Sequence, residues 1–395
     1  MKSNLKMKEK KVISVLFLAV IFLPAFLTCL SKITGRPFRG HLNGYFDKVS
    51  RPHFSGGQYL SGTFQAEFEK WLNSSIRPRG YYIRLYNQIQ YSLFCLSKNI
   101  VGKHDNILGR AYINAECGTD KNCDFSIPEN HEKLADYVRR LASVQQKLSS
   151  AGKHFLFFIT PSKATQFYDD IPLKYRIQRR ADYMPPYHYL KELLEASGVR
   201  YLDSRDFVST DGVPDFYATG IHWARPIEQR MSRAIVETMA EMSGRDLPRI
   251  DLGELRSSPA PYWRDADVFN LANIIAKPHG TYYEYEARIA ETERSDLPRY
   301  LVQGGSFAEG LFYKDYEKFI EKSYSFFYRQ VLRSGRNNQQ MQHWDDVDFS
   351  ALLDHVDFVL IELNEAVISG FSNGYVEYLD NFLDTYIPGK TVEGE

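Results

Sequence analysis

The sequence contains only four cysteines in 395 residues, no excess of charge of either sign, and a single long apolar run. Its 49 Lys and Arg residues balance 49 Asp and Glu residues, so it lacks the positive field that holds nucleic acid phosphates. It also lacks internal repeats and low-complexity tracts, while 44% of its residues are apolar and 14% are aromatic. These properties argue against a nucleic-acid partner and against a disordered chain. They predict one large folded domain or two smaller ones.

The few cysteines do not form a metal-binding pattern, because Cys117 and Cys123 are not at the usual zinc-ligand spacing and no second pair follows. We therefore expect no metal, and no cofactor is predicted. The two cysteines flank the polar turn GTDKN, which permits a short loop closed by a disulfide in an oxidising compartment. Two free buried thiols are the alternative.

The one long apolar run, residues 12–30, carries no charge and follows five lysines within residues 1–11. About 20 apolar residues cross the hydrocarbon layer as a helix, and flanking lysines keep the preceding tail in the cytoplasm. The sequence therefore predicts a single-pass anchor in the cytoplasmic (inner) membrane, with all later residues outside, in the periplasm. The alternatives are a cleaved signal peptide, a lipoprotein signal at Cys29 and a buried helix of a soluble protein. The small residues that both signals require are missing.

Residues 31–62 are rich in Gly, Pro, Arg and Ser and form the predicted linker, and residues 63–395 form the predicted folded domain. A helix predicted over residues 129–150 precedes a fully apolar run, and helices and buried strands then alternate. The predicted strands cover residues 154–160, 199–203, 300–303 and 358–362. Such alternation predicts an α/β fold with a mostly parallel sheet and helices on both of its faces.

Ser306 follows a predicted strand and two glycines in the segment RYLVQGGSFAEGL, residues 299–311, and a helix is predicted after it. Gly304 and Gly305 permit the sharp turn that exposes the serine and are themselves candidates for contacts to an oxyanion or to substrate. The start of the helix also offers free N–H groups to an oxyanion. Such a position suits a nucleophile, although Gly-Gly-Ser is also a common loop sequence.

His222 and Trp223 lie where an extended stretch turns into a long predicted helix with Pro226 in its first turn. A histidine in such a loop at the edge of the sheet is placed to act as a general base. Trp223 is a candidate for keeping water away from it and for contacting substrate. A capping or packing histidine is the alternative.

Together the two segments resemble the alginate O-acetyltransferase family of SGNH hydrolase-like proteins, in which an Asp-x-His-Trp motif precedes a Gly-Asp/Thr/Gly-Ser-Phe/Tyr motif. Ordinary SGNH hydrolases place the serine early and the histidine late, so the order of the motifs is informative. Further segments that share the resemblance are WLNSSIRPR at 71–79, IVGKHDNILG at 100–109, PSK at 161–163, YLDSR at 201–205, DVFNLANI at 267–274 and LIELNE at 360–365. The resemblance covers nearly the whole chain after the linker and implies an SGNH hydrolase-like (flavodoxin-like) fold.

The resemblance implies that Ser306 is the nucleophile and His222 the general base. Where the family has an aspartate two residues before the histidine, this chain has Gly220. A Ser–His dyad, an acid supplied from elsewhere and a protein without activity are all compatible with that glycine, and the dyad is the arrangement we favour. Asp215 and Asp203 are the nearest candidates for a replacement acid.

By the same resemblance, the enzyme transfers an acetyl group through an acyl-serine onto hydroxyls of a polysaccharide, and a multi-spanning membrane acyltransferase supplies the acyl group. A carbohydrate esterase is the first alternative, because an acyl-serine is hydrolysed when no sugar competes with water. A non-catalytic polysaccharide-binding or scaffolding subunit is the second, since Gly220 replaces the acid.

Overall fold

The structure is a computed structural model that describes residues 2–36, 38, 40–44, 49–95, 99–208, 212–278, 280–289, 297–311, 322–328, 330–334 and 340–389. Its internal contacts divide the chain into two compact units, one of residues 1–98 with 269–278 and one of residues 99–268 with 279–395. The first residues of the predicted domain, from 63 onward, therefore group with the N-terminal unit. Helical periodicity predicts that these residues form helices, but it does not specify what those helices pack against.

Helices are the main elements in the described part of the first unit. They are α1 (Lys2–Thr34), α2 (Gly56–Leu60), α3 (Thr63–Ser75) and α4 (Arg79–Phe94). Within α1, the stretch Lys11–Thr34 is long and apolar enough to cross a membrane, and its apolar window is 0% buried by other parts of the chain. The predicted apolar run is thus a helix, and it continues into the first residues of the predicted linker.

The second unit is built on a seven-stranded sheet. Its helices are α5 (Arg110–Cys117), α6 (Pro128–Ser150), α7 (Lys163–Gln166), α8 (Leu173–Arg176), α9 (Pro186–Ser197), α10 (Arg225–Ser243), α12 (Phe349–Asp354) and α13 (Tyr375–Leu383), while α11 (Asp267–Leu271) leads into the first unit. Its strands are β1 (Ile100–Val101), β2 (Ile107–Leu108), β3 (His154–Thr160), β4 (Tyr201–Asp203), β5 (Ile250–Ser258), β6 (Tyr282–Ile289), β7 (Arg299–Gly304), β8 (Lys322–Phe327), β9 (Val331–Ser334), β10 (Gln340–His343) and β11 (Phe358–Asn364). The 3-10 helices are Lys103–Asp105, Lys121–Cys123, Tyr168–Asp170, Ser204–Phe207, Trp263–Ala266, Ala308–Gly310, Trp344–Asp346 and Glu365–Gly374.

The strands of the sheet follow the order β10-β9-β8-β7-β11-β3-β4. The five from β8 to β4 are parallel, and β9 and β10 extend the β8 edge in antiparallel fashion. Strand β11 lies between β7 and β3 although it is the last in sequence, and it pairs with β3 from Phe358 opposite His154 to Asn364 opposite Thr160. The carboxyl ends of β7, β11 and β3 therefore meet at one edge, which is where open α/β sheets bind ligands.

Alternate side chains of the parallel strands enter two separate cores. On β3, Phe155, Phe157 and Ile159 join the core formed with α6, α9 and α13. Leu156 and Phe158 join the core on the opposite face, which is formed with α10. Both faces of the sheet are thus covered by helices, as expected for strands that read as continuous apolar runs. The predicted α/β fold with a mostly parallel sheet is confirmed.

The structure contains no disulfide between Cys117 and Cys123. Cys117 and Cys123 are both buried and free, which is the alternative that the spacing left open. Burial raises the pKa of both thiols, that of Cys117 to about 11, so neither has the character of a reactive thiolate.

Candidate active site

Ser306 lies two residues after the last residue of β7, at the edge where the parallel strands end. Neither glycine before it has a positive φ angle, so a left-handed turn is not what requires them. Glycine is required at both positions because there is no room for a side chain. A Cβ on Gly304 would lie 2.8 Å from the Cβ of Glu362, and a Cβ on Gly305 would lie 2.9 Å from the ring of Tyr328. The two glycines thus allow the serine loop to lie directly against its neighbours.

The helix predicted after Ser306 is replaced, in the described residues, by the three-residue 3-10 helix Ala308–Gly310, and residues 312–321 lie outside the described part. Gly304 and Gly305 do not serve as the predicted oxyanion donors either. Gly304 ends β7, and the N–H of Gly305 donates to Oε2 of Glu362 at 2.7 Å. The N–H of Ser306 makes only a long contact, 3.4 Å, with the hydroxyl of Tyr328. It is therefore a donor that an oxyanion beside Ser306 can recruit.

His222 is held by a closed loop in front of α10. Phe216 and Trp223 form an antiparallel bridge across this loop, and the N–H of Ala224 donates to the carbonyl of Asp215 at 2.6 Å. Pro226 lies in the first turn of α10, as predicted, where a proline leaves no intrahelical hydrogen bond unmade. The imidazole therefore projects from a short, fixed loop.

Trp223 has no exposed surface, so it cannot contact a bound substrate as the sequence analysis proposed. Its ring instead packs edge-on against Phe307 with centroids 5.6 Å apart, and the imidazole of His222 packs against the same ring at 4.9 Å. Trp223 thus supports Phe307, the ring against which the imidazole packs.

Ser306, His222 and Asp267 form a continuous chain of hydrogen bonds. Oγ of Ser306 lies 2.6 Å from Nε2 of His222, and Nδ1 of His222 lies 2.7 Å from Oδ2 of Asp267. Oδ1 of Asp267 accepts the N–H of Ile221 at 2.9 Å, which fixes the carboxylate. His222 is 7% exposed, so these hydrogen bonds are sheltered from water. The geometry is that of a Ser-His-Asp triad, in which the hydroxyl donates to Nε2 and Nδ1–H donates to the carboxylate.

Solved structures similar to this chain are known. Sequence comparison matches it to no family model and to no curated protein. It is similar to the O-acetyltransferase domain of Pseudomonas putida AlgJ, with 13% identity and a TM-score of 0.44, over 73% of this chain and 100% of that one. It is also similar to Pseudomonas aeruginosa AlgX (12% identity, TM-score 0.41, 72% and 69% covered) and to Bacillus cereus PatB1 (11%, 0.38, 61% and 92%).

The sequence analysis favoured a Ser–His dyad, whereas in the structure the imidazole has an acid partner, Asp267, supplied from elsewhere in the chain. Neither Asp215 nor Asp203, the two named replacements, is that partner. The carboxylate of Asp215 accepts a hydrogen bond from the side chain of Gln166 at 3.0 Å. The carboxylate of Asp203 lies at the end of β4, where it is bonded to the hydroxyl of Tyr187 at 2.7 Å and to Lys191 at 3.0 Å.

Gly220 explains how Asp267 reaches the imidazole. A Cβ on Gly220 would lie 2.6 Å from the carbonyl oxygen of Arg264 and 2.8 Å from that of Asp265. The residues on both sides also touch this segment, since the hydroxyl of Thr219 donates to the carbonyl of Asp265 at 2.7 Å and the N–H of Ile221 donates to Asp267. The glycine thus permits the backbone approach that carries Asp267 to the site.

Arg264 is a buried cation beside the serine. Its side chain is 1% exposed and its guanidinium donates to the carbonyl of Ser306. The guanidinium also lies 4.6 Å from the ring centroid of Trp263, which is half exposed, and 3.5 Å from a carboxylate oxygen of Glu309. Arg264 therefore ties the loop of Ser306 to the segment that carries Asp267, and it brings positive charge close to the Ser306 hydroxyl.

Lys163 fixes the loop on the other side of the imidazole. It follows β3, is completely buried, and its ammonium lies 2.6–3.0 Å from four carbonyl oxygens. These belong to Ile107, Tyr217, Ala218 and Gly220, so three of the four precede His222 in its own loop. Burial lowers the pKa of Lys163 to about 7, and the nearby carboxylates of Asp267 and Asp170 counteract this effect.

Glu362 is a buried carboxylate under the serine loop. Its oxygens accept hydrogen bonds from the hydroxyl of Thr160 and from the N–H of Gly305. Burial raises its pKa, while these two donors and the nearby side chains of His222 and Arg264 lower it. Glu362 therefore joins β3, β11 and the serine loop at the end of the sheet.

Sequence analysis found Ser306 and His222 but missed Asp267, Arg264 and Lys163. Two signals were available. Asp267 begins the segment DVFNLANI, and Lys163 ends the segment PSK. Both segments contribute to the family resemblance, but the sequence analysis assigned no function to them. In the part of the chain that the structure describes, no group of three or more His, Cys, Asp or Glu side chains is arranged to hold a metal ion.

Proposed function

We propose that the protein is an O-acyltransferase that moves an acetyl group, through an acyl-serine on Ser306, onto hydroxyls of a polysaccharide. The observation that carries the proposal is the hydrogen-bond chain from Ser306 through His222 to Asp267. A packing or capping histidine needs no serine hydroxyl on one nitrogen and no carboxylate on the other. The reason for considering a non-catalytic protein was the missing acid at Gly220, and Asp267 removes that reason.

In the first step, Nε2 of His222 takes the proton of Ser306 as Oγ attacks the carbonyl carbon of an acyl donor. The imidazolium formed is stabilised by Asp267 and then gives the proton to the leaving group, so that an acyl-serine remains. In the second step, His222 takes the proton of a sugar hydroxyl, whose oxygen attacks the acyl carbon. Ser306 recovers its proton from the imidazolium and the acetylated sugar leaves.

Both steps develop negative charge on the acyl oxygen. The N–H of Ser306 lies beside the nucleophile, and its contact with the hydroxyl of Tyr328 is long, 3.4 Å. Donating to an oxyanion costs this N–H little, because the contact that it gives up is a weak one. The guanidinium of Arg264, bonded to the carbonyl of the same serine, adds a favourable field at the site.

The acceptor and the donor are proposed from the sequence resemblance. A polysaccharide acceptor suits the half-exposed Trp263, whose flat ring is held by the guanidinium of Arg264 next to the serine loop. We further propose that α1 anchors the chain in the cytoplasmic membrane with the site in the periplasm, and that a multi-spanning membrane acyltransferase delivers the acyl group. The apolar stretch Lys11–Thr34 and the lysines before it support this topology.

The test uses the full-length protein and its Ser306→Ala variant. Wild type should be labelled covalently by a serine-directed acylating probe and should transfer acetyl from an activated acetyl ester to an oligosaccharide, as measured by mass spectrometry. The Ser306→Ala variant should do neither.

The same assay separates the alternatives. A carbohydrate esterase would release acetate at the same rate with and without the oligosaccharide and would form no acetylated sugar. A wild type that never reacts with the probe, with equal polymer acetylation in both proteins, would replace this proposal with a scaffolding role.

A further inference from the structure

Helix α4 carries its polar residues on the side that packs within its own unit. Arg84 donates to the carbonyl of Ile274 at 2.7 Å, and Asn87 donates to the carbonyl of Ala272 at 2.8 Å. The side-chain oxygen of Gln88 accepts the N–H groups of residues 275 and 276 at 3.0 and 2.9 Å. The ring of Tyr91 on the same side lies 6.3 Å from that of Phe269. This face of α4 is therefore satisfied by the segment 269–278.

The opposite face of α4 is apolar and uncovered. Tyr82, Tyr86, Ile89 and Leu93, here called the α4 stripe, follow the spacing of one helix face, and all four are exposed, Tyr86 by 63% and Leu93 by 71%. At about 100° per residue, the stripe lies roughly 180° from Arg84, Asn87 and Gln88. An amphipathic helix in water turns its apolar face inward, so this helix has the opposite orientation.

The start of α4 lies beside the end of the apolar helix α1. The N–H of Arg77, just before α4, donates to the hydroxyl of Thr28 at 3.2 Å. An open groove of about 320 Å³ is lined by Pro24 of α1 together with Ile76, Tyr82 and Tyr86. The covered positions Pro24, Leu27, Thr28 and Ser31 repeat at helical spacing, so one face of the end of α1 is shielded.

These contacts determine how deep in the bilayer the start of α4 lies if α1 crosses it. At 1.5 Å per residue, Thr28 lies about 3 Å and Pro24 about 9 Å before the end of the apolar run at Leu30. A chain segment packed against these residues cannot lie in bulk water if α1 crosses a bilayer. It lies in the layer between lipid headgroups and acyl chains, where tyrosine side chains and the long side chains of Arg77 and Arg79 are favoured.

We propose that α4 is a membrane-embedded element, lying in the outer interfacial layer of the bilayer that α1 crosses, with the α4 stripe in contact with lipid. The inference rests on the membrane-spanning role of α1 in the proposed function, and it extends the attachment from one helix to two. Lipid is the occupant that the contacts favour. Tyr82 and Tyr86 of the stripe line the same groove as Pro24 of α1, the helix that faces lipid.

The experiment uses full-length protein in lipid vesicles, with Cys29 and Cys95 replaced by serine and the two buried cysteines left in place. A single cysteine carrying an environment-sensitive fluorophore is introduced at Tyr86 or at Leu93. Phe22, exposed in α1, is the control for the membrane interior, and Ser150 at the end of α6 is the control for water. Each label is quenched by nitroxide lipids, with the nitroxide near the headgroup or deep in the acyl chain, and by aqueous iodide.

We expect the labels at residues 86 and 93 to be quenched best by the shallow nitroxide and poorly by iodide, with Phe22 quenched by the deep nitroxide and Ser150 by iodide alone. Iodide quenching at 86 and 93 with a deep Phe22 label would overturn the inference and leave the anchor intact. Protection from both quenchers at 86 and 93 would also overturn it, and would indicate a protein partner on the stripe. If iodide quenches the Phe22 label, α1 does not cross the bilayer and the anchor in the proposed function is refuted. Quenching of the labels at 86 and 93 by the shallow nitroxide in that case would show that α4 binds lipid independently of α1.

Discussion

The carbonyl oxygen of Arg264 lies 2.6 Å from the point that a Cβ on Gly220 would occupy. This contact accounts for the one position at which the chain departs most clearly from the family that it resembles. With a glycine at 220, the backbone of residues 264–267 can lie against the histidine loop, and an acid on that segment reaches the imidazole. An aspartate at position 220 would not fit while residues 264–267 keep their observed position, because there is no space for its side chain.

Gly220→Asp is therefore expected to lower activity and stability, although it restores the residue of the family pattern. Forcing a side chain against two backbone carbonyls costs about 1–3 kcal/mol or more, because backbone cannot turn away as a side chain does. Thermal unfolding and ester turnover are the measurements. Gly370→Asp, at a position with open space around its Cα, is the matched control and should change neither. A gain of activity in Gly220→Asp would contradict the spatial explanation.

Asp267→Asn is expected to lower turnover of an activated acetyl ester by about 10⁴-fold, because an amide that donates to Nδ1 favours the wrong imidazole tautomer. Its fold should persist, since the side chain keeps its size and one oxygen. The control is Asp215→Asn, whose carboxylate is bonded to Gln166 instead of the imidazole. Turnover that falls equally in the two variants, or only in Asp215→Asn, would refute the assignment of the acid.

Lys163→Met is expected to lower the turnover number by about 10²-fold, because releasing the loop of residues 217–220 allows His222 to shift by a distance on the order of 1 Å. The chain supplies a matched control at the other end of β3. Lys153 also donates to a backbone carbonyl, that of Val356 at 3.0 Å, but far from the edge that carries the serine. Lys153→Met should lower the unfolding temperature without changing the turnover number per folded molecule. Equal turnover numbers in the two variants would show that Lys163 is only structural.

Asp265→Asn is expected to stabilise the protein in a pH-dependent way. Burial and the neighbouring Glu228 raise the pKa of Asp265 to about 7, whereas in an unfolded chain it is about 4. The folded state then binds more protons than the unfolded state between these values, so stability falls as the pH rises through this window. The amide cannot titrate but keeps an oxygen for the N–H of Tyr262.

The advantage of Asp265→Asn over wild type should therefore be small near pH 4 and reach about 1–4 kcal/mol above pH 7. Urea unfolding at both pH values measures it, with the exposed Asp251→Asn as control. A difference between Asp265→Asn and wild type that does not change with pH would contradict the raised pKa.

Continuous apolar runs predicted the central strands well. The run predicted at 154–160 is β3, and those at 300–303 and 358–362 lie within β7 and β11, because strands buried on both faces need apolar residues at every position. The strand pairs β5–β6 and β9–β10 were not predicted, since their residues alternate too little to give a clear period. The state of Cys117 and Cys123 was left open between a disulfide and two free thiols, because spacing along the chain does not determine whether two sulfurs face each other.

The sequence by itself identified Ser306 and His222 as the candidate nucleophile and base, since glycines before Ser306 and an aromatic residue after His222 are local features that a short motif records. It also determined that residues 12–30 form an apolar helix, because composition over one segment is sufficient for that. Only the tertiary structure decided the acid, the buried cations Arg264 and Lys163, and the outward-facing apolar stripe of α4. Each of these depends on contacts between distant segments, as Asp267 is 45 residues from His222 and Lys163 is 57 residues from Gly220. Such contacts are fixed by the packing of the sheet and its loops, where a change as small as one missing Cβ at residue 220 decides which carboxylate reaches the imidazole.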